Sequence, residues 1–306
     1  MLFLIILITI VVFYLVLAYR QTPKDLTNKV ILVTGGANGL GKELSLQLAR
    51  LGCKIAIADF DMKNAEKTVQ EITRRGNEAA AYKVDVSNLE DIQKLKLYIE
   101  RDLGTVDIVI NNAAILYTKS IEDEDPKLLE KIMDVNVMSL FWTTRVFLGE
   151  MKRRKSGHII SISSAAGLVG GPDLQAYSTS KFAVRGFMDS LYVNLHREGY
   201  GNVIHTSTVY PWFINTRGYI QEFTENVFKN CLVFDTEDVA KDIIDGFRRN
   251  KRVIAIPSFF YLFGYVINTA VVANNVFKLM TNKPKKNVIF KDDPARYREK
   301  QFLISN

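Results

Sequence analysis

The segment from Val30 to Leu51 constrains the fold of this chain more than any other part of the sequence. Val30 to Thr34 is a short run rich in β-branched residues, the glycine-rich stretch TGGANGLG covers Thr34 to Gly41, and an amphipathic stretch runs from Leu40 to Leu51. These patterns predict a buried strand, a tight loop and a helix in succession. A strand and a helix joined in this way favour an α/β fold built on a parallel sheet.

The glycine-rich loop has the composition that phosphate binding requires. Gly35, Gly39 and Gly41 permit a tight turn and a close approach of the backbone, and the following helix offers its N-terminal N–H groups to a pyrophosphate. A second predicted strand, Lys54 to Ala58, ends in Asp59, about two dozen residues after the first glycine, where a carboxylate accepts ribose hydroxyls. The sequence therefore predicts a dinucleotide site.

A tyrosine and a lysine in AYSTSK predict acid/base chemistry. Tyr177 and Lys181 lie four residues apart and follow Ser164 by thirteen and seventeen residues. On a helix this spacing places the ammonium beside the phenol. A cation about 4 Å away, at an effective dielectric constant of about 20, lowers the phenol pKa by about three units before desolvation is subtracted. A tyrosine and a lysine at this spacing, taken alone, more often form an exposed pair on a helix surface. The neighbouring motifs favour a catalytic role here.

Five motifs occur in a fixed order over roughly residues 28 to 250 and carry a family resemblance. They are TGGANGLG, NNAA at Asn111 to Ala114, DVNV with Asn136, ISSAAG at Ile162 to Gly167, and YSTSK at Tyr177 to Lys181. In order and spacing they resemble the short-chain dehydrogenase/reductase family. The hydrophobic N-terminal segment, DVNV, ISSAAG and the aromatic-rich sequence after Tyr210 and Pro211 most closely resemble its membrane-anchored branch of epidermal retinol dehydrogenases and lipid-droplet 17-beta-hydroxysteroid dehydrogenases. The resemblance implies a single Rossmann-type, doubly wound domain over residues 30–257, a seven-stranded parallel sheet with helices on both faces.

The resemblance also implies which residues hold the cofactor. Asp85, placed at the end of a third strand in KVDV, would meet the adenine amino group, although a helix cap is an equal alternative because Ser87 and Asn88 follow it. Asn111 and Ala113 would border the cofactor cleft, and Thr216 would contact the carboxamide. The full predicted set of cofactor-binding residues is Gly35, Asn38, Gly39, Leu40, Gly41, Asp59, Asp85, Val86, Asn112, Ala113, Tyr177, Lys181, Pro211 and Thr216.

Two positions favour NAD over NADP as the cofactor. Asp59 would repel a 2′-phosphate. Asn38 occupies a position that family members preferring the phosphorylated cofactor often make basic. We therefore expect NAD, with NADP less favoured.

Four residues are implied to carry catalysis. Tyr177 would act as the general base and Ser164 would hold the substrate oxygen, whereas Lys181 would lower the tyrosine pKa and bind the nicotinamide ribose. Asn136 would support a water-linked proton path, or it could simply pack in its helix. Ser161 and Ser163 compete with Ser164, and only the spacing to Tyr177 selects Ser164.

Two residues depart from the family pattern. Ala114 replaces the glycine of the usual NNAG, which would strain the backbone by about 1 kcal/mol if φ had to be positive. We expect a tolerated variation, and a slightly shifted loop that changes cofactor affinity stays open. Trp212 replaces the glycine after Pro211 and would enlarge the apolar wall near the nicotinamide. More aromatic residues follow where the family has its substrate lid: Phe213, Tyr219, Phe223, Phe228 and Phe234.

The two ends of the chain suggest a membrane. Residues 1–19 contain no charged side chain and would span about 28 Å as a helix, so we expect an uncleaved membrane anchor followed by a linker over 20–29. The basic residues of the linker place the catalytic domain on the cytosolic side. Residues 258–280 predict an apolar helix that covers the substrate entrance or lies in the membrane interface, with a second span as the alternative. A basic tail completes the region 258–306.

Composition narrows the remaining function classes. The net charge of +7 is spread along the chain, so we expect an anionic membrane surface rather than nucleic acid as its partner. Cys53, Cys231 and three scattered histidines give no disulfide framework or metal spacing. We expect a lipophilic alcohol or ketone as the substrate and a location at the endoplasmic reticulum membrane or lipid droplet. A homodimer is a possible assembly. A surface protein with a vestigial dehydrogenase site is the alternative function.

Overall fold

A computed structural model describes residues 22–216, 232–262 and 264 of the chain. Its core is one parallel sheet in the strand order β3-β2-β1-β4-β5-β6-β7. The strands are β1 (Val30–Thr34), β2 (Lys54–Asp59), β3 (Ala79–Lys83), β4 (Ile108–Asn111), β5 (Gly157–Ile162), β6 (Ile204–Pro211) and β7 (Val253–Ile256). The predicted seven-stranded parallel sheet is confirmed.

Helices cover both faces of the sheet, because alternate strand residues point to opposite sides. Ile31 and Val33 pack with α1, α2 and α7, whereas Val30 and Leu32 pack with α3, α5 and α6. The helices are α1 (Gly39–Arg50), α2 (Met62–Thr73), α3 (Leu89–Asp102), α4 (Pro126–Met133), α5 (Ser139–Arg154), α6 (Gln175–Arg197) and α7 (Thr236–Arg248). This two-sided packing confirms the doubly wound architecture.

Helices α4 and α5 are joined by a π-helical turn over Asp134–Met138. The α4 helix begins cleanly because the Asp125 side chain accepts from the Lys127 N–H and Pro126 occupies the first turn. The π turn coincides with the DVNV motif, so Asn136 lies where the helical spacing changes. Turns of this kind are frequent at functional sites.

The ends of two strands, β3 and β6, matter for the site. The last pair between β2 and β3 joins Asp59 to Lys83, so β3 ends two residues before Asp85. The prediction that Asp85 closes the third strand is therefore wrong. Strand β6 runs on to Pro211 because it pairs with β7, where Pro211 is opposite Ile256.

Part of the predicted linker packs against the domain. Leu26 is buried in the core, and the Lys24 N–H donates to the Arg248 carbonyl at 2.8 Å. Cys53, beside this segment, is a buried thiol whose pKa burial raises to about 12.

Several predicted features lie outside the described residues. They are the anchor at residues 1–19, most of the apolar helix and tail at 258–306, Cys231, Tyr219, Phe223 and Phe228. Residues 259–262 and 264 are helical, at the start of the predicted apolar helix. Within the described ranges, every helix is too short or too polar to cross a bilayer.

Candidate active site

The predicted site residues converge on the edge of the sheet where the strands end. Ligands bind at this edge in doubly wound folds, since loops and helix N-termini meet there. Six of the predicted cofactor-binding residues line one cleft at this edge, below called the cofactor cleft: Gly35, Asn38, Asp59, Asp85, Val86 and Ala113.

The glycine-rich turn is packed too tightly for side chains. Gly35 and Gly39 have φ values of 65° and 51°, which glycine adopts readily. A Cβ on Gly41 would lie 2.1 Å from the Gly35 carbonyl oxygen and 2.5 Å from Nδ2 of Asn112. The turn therefore brings the start of α1 directly against the strand ends, as a pyrophosphate cradle requires.

The N-terminus of α1 is open to a ligand. Asn38 occupies the cap position, but its side chain makes no capping hydrogen bond to the helix. Leu40 is fully buried, so only its backbone can face the cleft. Backbone N–H groups without a side-chain cap at a helix start suit an anion. On these observations the residues present fit a dinucleotide.

Asp59 ends β2 and points into the cofactor cleft. Its carboxylate accepts the Ala37 N–H and the Asp61 N–H, each at 2.9 Å. Burial raises the pKa of Asp59, and the two N–H bonds only partly oppose this effect. The two backbone bonds fix the side chain in one orientation at the end of the strand.

Asp85 lies in the loop after β3, where three groups hold its carboxylate. Ser87 donates to Oδ1 from its N–H (3.0 Å) and its hydroxyl (2.5 Å), and Lys131 donates to Oδ2 from Nζ (3.1 Å). Burial opposes ionisation, but these donors lower the pKa of Asp85. The cap of α3 is Asn88, which accepts from Glu90 and Asp91, so the helix-cap interpretation of Asp85 is wrong.

The two asparagines after β4 have separate roles. Asn111 is buried, accepts from the Thr143 hydroxyl at 2.8 Å and faces Ser161 at 3.4 Å, so its side chain lies in the core. The expectation that it borders the cofactor cleft is wrong. Asn112 donates from Nδ2 to the carbonyls of Thr34 (3.0 Å) and Gly35 (3.1 Å), which ties it to the glycine-rich turn.

Ala114 causes no backbone strain. Non-glycine residues with positive φ in the described part of the chain are Asn28, Lys155, Asp173 and Asn250. Ala114 has negative φ and lines the cofactor cleft. Ala114 is therefore a tolerated variation of the motif, as expected from the sequence.

Tyr177 and Lys181 lie together in the first turns of α6. Both side chains are buried, and Lys181 Nζ is 5.4 Å from the centroid of the Tyr177 ring. Lys181 donates from Nζ to the Ile162 carbonyl at 3.0 Å. Burial lowers the pKa of Lys181 to about 7, which opposes the cation that the spacing alone led us to expect.

The structure separates the three candidate serines. Ser161 and Ser163 are fully buried, and their hydroxyls donate internally, to Met188 Sδ (3.2 Å) and to the Lys181 carbonyl (2.9 Å). Ser164 follows β5 in extended conformation, and its hydroxyl oxygen accepts the Ala166 N–H at 3.1 Å. That bond leaves the Ser164 hydroxyl hydrogen available to a ligand.

Asn136 holds the loop after β4 against α6. The Ile115 N–H donates to its Oδ1 at 2.7 Å, and its Nδ2 donates to the Ile115 carbonyl (2.9 Å) and the Ser180 hydroxyl (3.0 Å). Ser180 in turn donates to the Tyr177 carbonyl at 2.7 Å. The Asn136 side chain is thus engaged in packing, which was one of the two interpretations open from the sequence.

The residues after β6 form the apolar side of the site. Phe213 packs with Leu174 and Tyr177, whereas Trp212 packs against Phe260 in a tilted arrangement with ring centroids 4.4 Å apart. The wall beside the tyrosine is therefore made by Phe213 rather than by Trp212. Thr216 follows in a segment held by the bridge between Ile214 and Phe234, and Pro211 ends β6.

Several residues that line the cofactor cleft were not in the predicted set, and one of them, Lys131, is charged. Lys131 lines the cleft and binds Asp85 and Ser87, each at 3.1 Å. Its distance along the chain from Asp85 hides the contact, because nothing in the sequence of α4 indicates which loop the helix faces.

Comparison with known proteins identifies a family. Residues 29–226 match the family described as short chain dehydrogenase. Human 17-beta-hydroxysteroid dehydrogenase 13 is 32% identical over 265 residues, covering 85% of this chain and 86% of that protein. Mouse epidermal retinol dehydrogenase 2 is 33% identical over 241 residues, covering 78% and 77%.

Solved structures share the fold. A short chain dehydrogenase/reductase from Burkholderia phymatum, solved with NAD, superposes with a TM-score of 0.74 at 22% identity and covers 82% of this chain and 96% of its own. A metagenomic short-chain oxidoreductase solved with NADP has a TM-score of 0.64 at 23% identity, with 76% and 98% covered.

Proposed function

The chain belongs to the short-chain dehydrogenase family, and on that premise we propose that it transfers a hydride between NAD and a lipophilic alcohol or ketone at a membrane surface. The observation that carries the proposal is the buried pair of Tyr177 and Lys181, whose lysine donates to the Ile162 carbonyl at the end of β5, two residues before Ser164. A surface pair would be exposed, whereas these two side chains are almost fully removed from solvent.

Three side chains would handle the substrate oxygen and its proton. When bound, the nicotinamide ring accepts or supplies the hydride. Tyr177 takes the hydroxyl proton of the alcohol as general base, and returns a proton to the oxygen in the reverse direction. Ser164 donates its available hydroxyl hydrogen to the same oxygen. Lys181 favours the phenolate of Tyr177 to the extent that it is charged.

The cofactor would bind along the ends of the strands. The turn of Gly35, Gly39 and Gly41 would hold the pyrophosphate and Asp59 the adenosine ribose. The fixed carboxylate of Asp59 supports NAD over NADP, since a 2′-phosphate there would meet a negative charge. Asp85 and the Val86 backbone would hold the adenine.

The substrate would be apolar. Phe213, Leu174 and Leu116 surround Tyr177 with hydrocarbon rather than charge. Relatives carry the names of steroid and retinol dehydrogenases, which supports a retinoid, a steroid or a long-chain alcohol. We place the protein at the endoplasmic reticulum membrane or lipid droplet, anchored by residues 1–19, with the domain of residues 30–257 in the cytosol and residues 258–306 at the interface.

The decisive experiment combines cofactor binding with turnover in the full-length protein. NADH binding is measured by fluorescence, and retinol, estradiol and long-chain alcohols are tested with NAD and with NADP. Tyr177→Phe should lower turnover about a thousandfold or more while the Kd for NADH changes by less than about threefold, because only the proton acceptor is removed. Tyr192→Phe, on the same helix but outside the site, is the matched control.

The alternative function makes the opposite prediction. A surface protein with a vestigial site would show no NADH signal and no turnover with any substrate in wild-type protein. Turnover that persists in Tyr177→Phe would instead remove Tyr177 as the base while keeping the enzyme.

A further inference from the structure

The wall of the cofactor cleft contains a cation that the family resemblance does not account for. Among the described residues that line this cleft, Lys131 is the only basic one, beside the carboxylates of Asp59 and Asp85. Its side chain is about one-third exposed, and it is bonded to two groups of the loop after β3.

The bonds around Asp85 leave a single acceptor direction open. Oδ1 accepts two hydrogens from Ser87, which uses both of its lone pairs. Oδ2 accepts one hydrogen from Lys131, so one lone pair on Oδ2 stays open. A free carboxylate could rotate and offer either oxygen, whereas this one is held in place from both sides.

The same loop is also fixed from the neighbouring helices. The Trp142 indole N–H on α5 donates to the Ser87 carbonyl at 3.2 Å, and the Asp85 N–H donates to the Asp91 carboxylate on α3 at 3.3 Å. Because these bonds fix the backbone of the loop, Asp85 can change the direction of its oxygens only by rotating its carboxylate. Lys131 and Ser87 limit that rotation.

We propose that Lys131 is a positioning residue for purine recognition: with Ser87 it orients Asp85 so that the open lone pair of Oδ2 accepts an exocyclic 6-amino group of the bound dinucleotide. This inference rests on the proposed function, because it requires a dinucleotide in the cofactor cleft. A 6-oxo purine presents an acceptor at the same point and would face the carboxylate without a shared hydrogen. Lys131 thereby sets the preference for adenine over hypoxanthine.

The test compares two dinucleotides that differ at one position of the base. The Kd values of NADH and of reduced nicotinamide hypoxanthine dinucleotide are measured by fluorescence for full-length wild-type protein and for Lys131→Met, Lys131→Arg and Lys127→Met. Wild type should prefer NADH by about tenfold or more, which is the size of one hydrogen bond to a charged group. Lys127 is exposed on the same helix and provides the matched control.

Lys131→Met should weaken NADH binding by about five- to tenfold and leave the 6-oxo compound nearly unchanged, so that the preference falls to about twofold. Lys131→Arg should keep most of the preference, and Lys127→Met all of it. For the control Lys127→Met, which lies outside the cleft, kcat at saturating NAD should stay within about twofold of wild type. Ser87→Ala tests the same carboxylate from its other side if Lys131→Met does not fold.

Each other outcome contradicts the inference. Equal losses for both dinucleotides would show that Lys131 only supports the fold. A wild-type protein that binds NADH but does not prefer it over the 6-oxo compound would overturn the positioning role and leave the proposed function intact. A wild-type protein that binds neither dinucleotide would instead refute the proposed function, and this inference with it.

Discussion

Asp59 gives the cofactor preference a test at a single residue. Its carboxylate is bound by the N–H groups of Ala37 and Asp61, so it cannot turn away from a 2′-phosphate. Asp59→Asn keeps the shape of the side chain and removes its charge. We expect the ratio of kcat/KM for NAD to that for NADP to fall by about tenfold or more. An unchanged ratio in steady-state kinetics would contradict the assignment of Asp59 to cofactor choice.

Gly41 and Gly149 form a matched pair of glycine substitutions. Gly41→Ala places a Cβ 2.1 Å from the Gly35 carbonyl oxygen, so the start of α1 must move away from the strand ends. We expect the Kd for NADH to rise about tenfold or more and stability to fall. Gly149 lies in α5 with open space around it, and Gly149→Ala should raise the free energy of unfolding by about 0.5–1 kcal/mol. Urea unfolding measures the stability of both variants, and NADH titration measures their Kd. An unchanged Kd for NADH in Gly41→Ala would contradict the role of this turn in holding the pyrophosphate.

The position of Lys181 could be predicted from the sequence, but its pKa could not. The spacing from Tyr177 predicts that the two side chains lie together, and they do. The charge of Lys181 depends on its surroundings in space: complete burial, with the Ile162 carbonyl as acceptor, lowers its pKa to about 7. Burial at this depth arises from the packing of β5 against α6, which local spacing does not contain.

At the level of elements, the sequence predicts what local periodicity determines. Strand β1 and its glycine-rich turn have the predicted bounds, because β-branched residues and glycines determine the backbone conformation at their own positions. The third strand ends before Asp85 because pairing with β2 stops at Lys83. Asn111 faces the core because its direction depends on the twist and neighbours of β4. Pairing partners and side-chain directions are tertiary properties, so these two predictions were wrong.

The junction of α4 and α5 can be tested through Asn136. Asn136→Ala removes three hydrogen bonds and leaves both backbone groups of Ile115 without these partners. We expect the free energy of unfolding to fall by about 1–3 kcal/mol and turnover to fall with it, because Ile115 lines the cofactor cleft. Asn194→Ala, at an exposed position on α6, is the control in urea unfolding. Lost turnover with unchanged stability would favour the proton path over packing.

At the level of the whole molecule, a chain of polar groups around the buried His158 joins the first described segment to the edge of the sheet opposite the cofactor cleft. Lys24 Nζ donates to Nδ1 of His158 at 2.6 Å, His158 Nε2 donates to the Ser207 hydroxyl at 2.8 Å, and Ser207 donates to the Lys251 carbonyl at 2.7 Å. This chain needs a neutral His158 that accepts at Nδ1. Desolvation, followed by the nearby charge of Lys24, lowers the pKa of His158 well below its usual value.

This network predicts how stability depends on pH. Below the unfolded-state pKa of about 6.5, the unfolded chain protonates His158 while the folded protein does not, so acid favours unfolding. Burial also lowers the pKa of Lys24, to about 8, and the pKa of His205, and both groups add effects of the same sign. From about pH 7.5 to about pH 5.5, we expect His158 to remove about 1 kcal/mol from the free energy of unfolding. The free energy of unfolding of His158→Gln should fall less steeply with acid, because only Lys24, His205 and the carboxylates still contribute. Urea unfolding at several pH values measures both proteins. Identical pH slopes would show that His158 takes up its proton without unfolding.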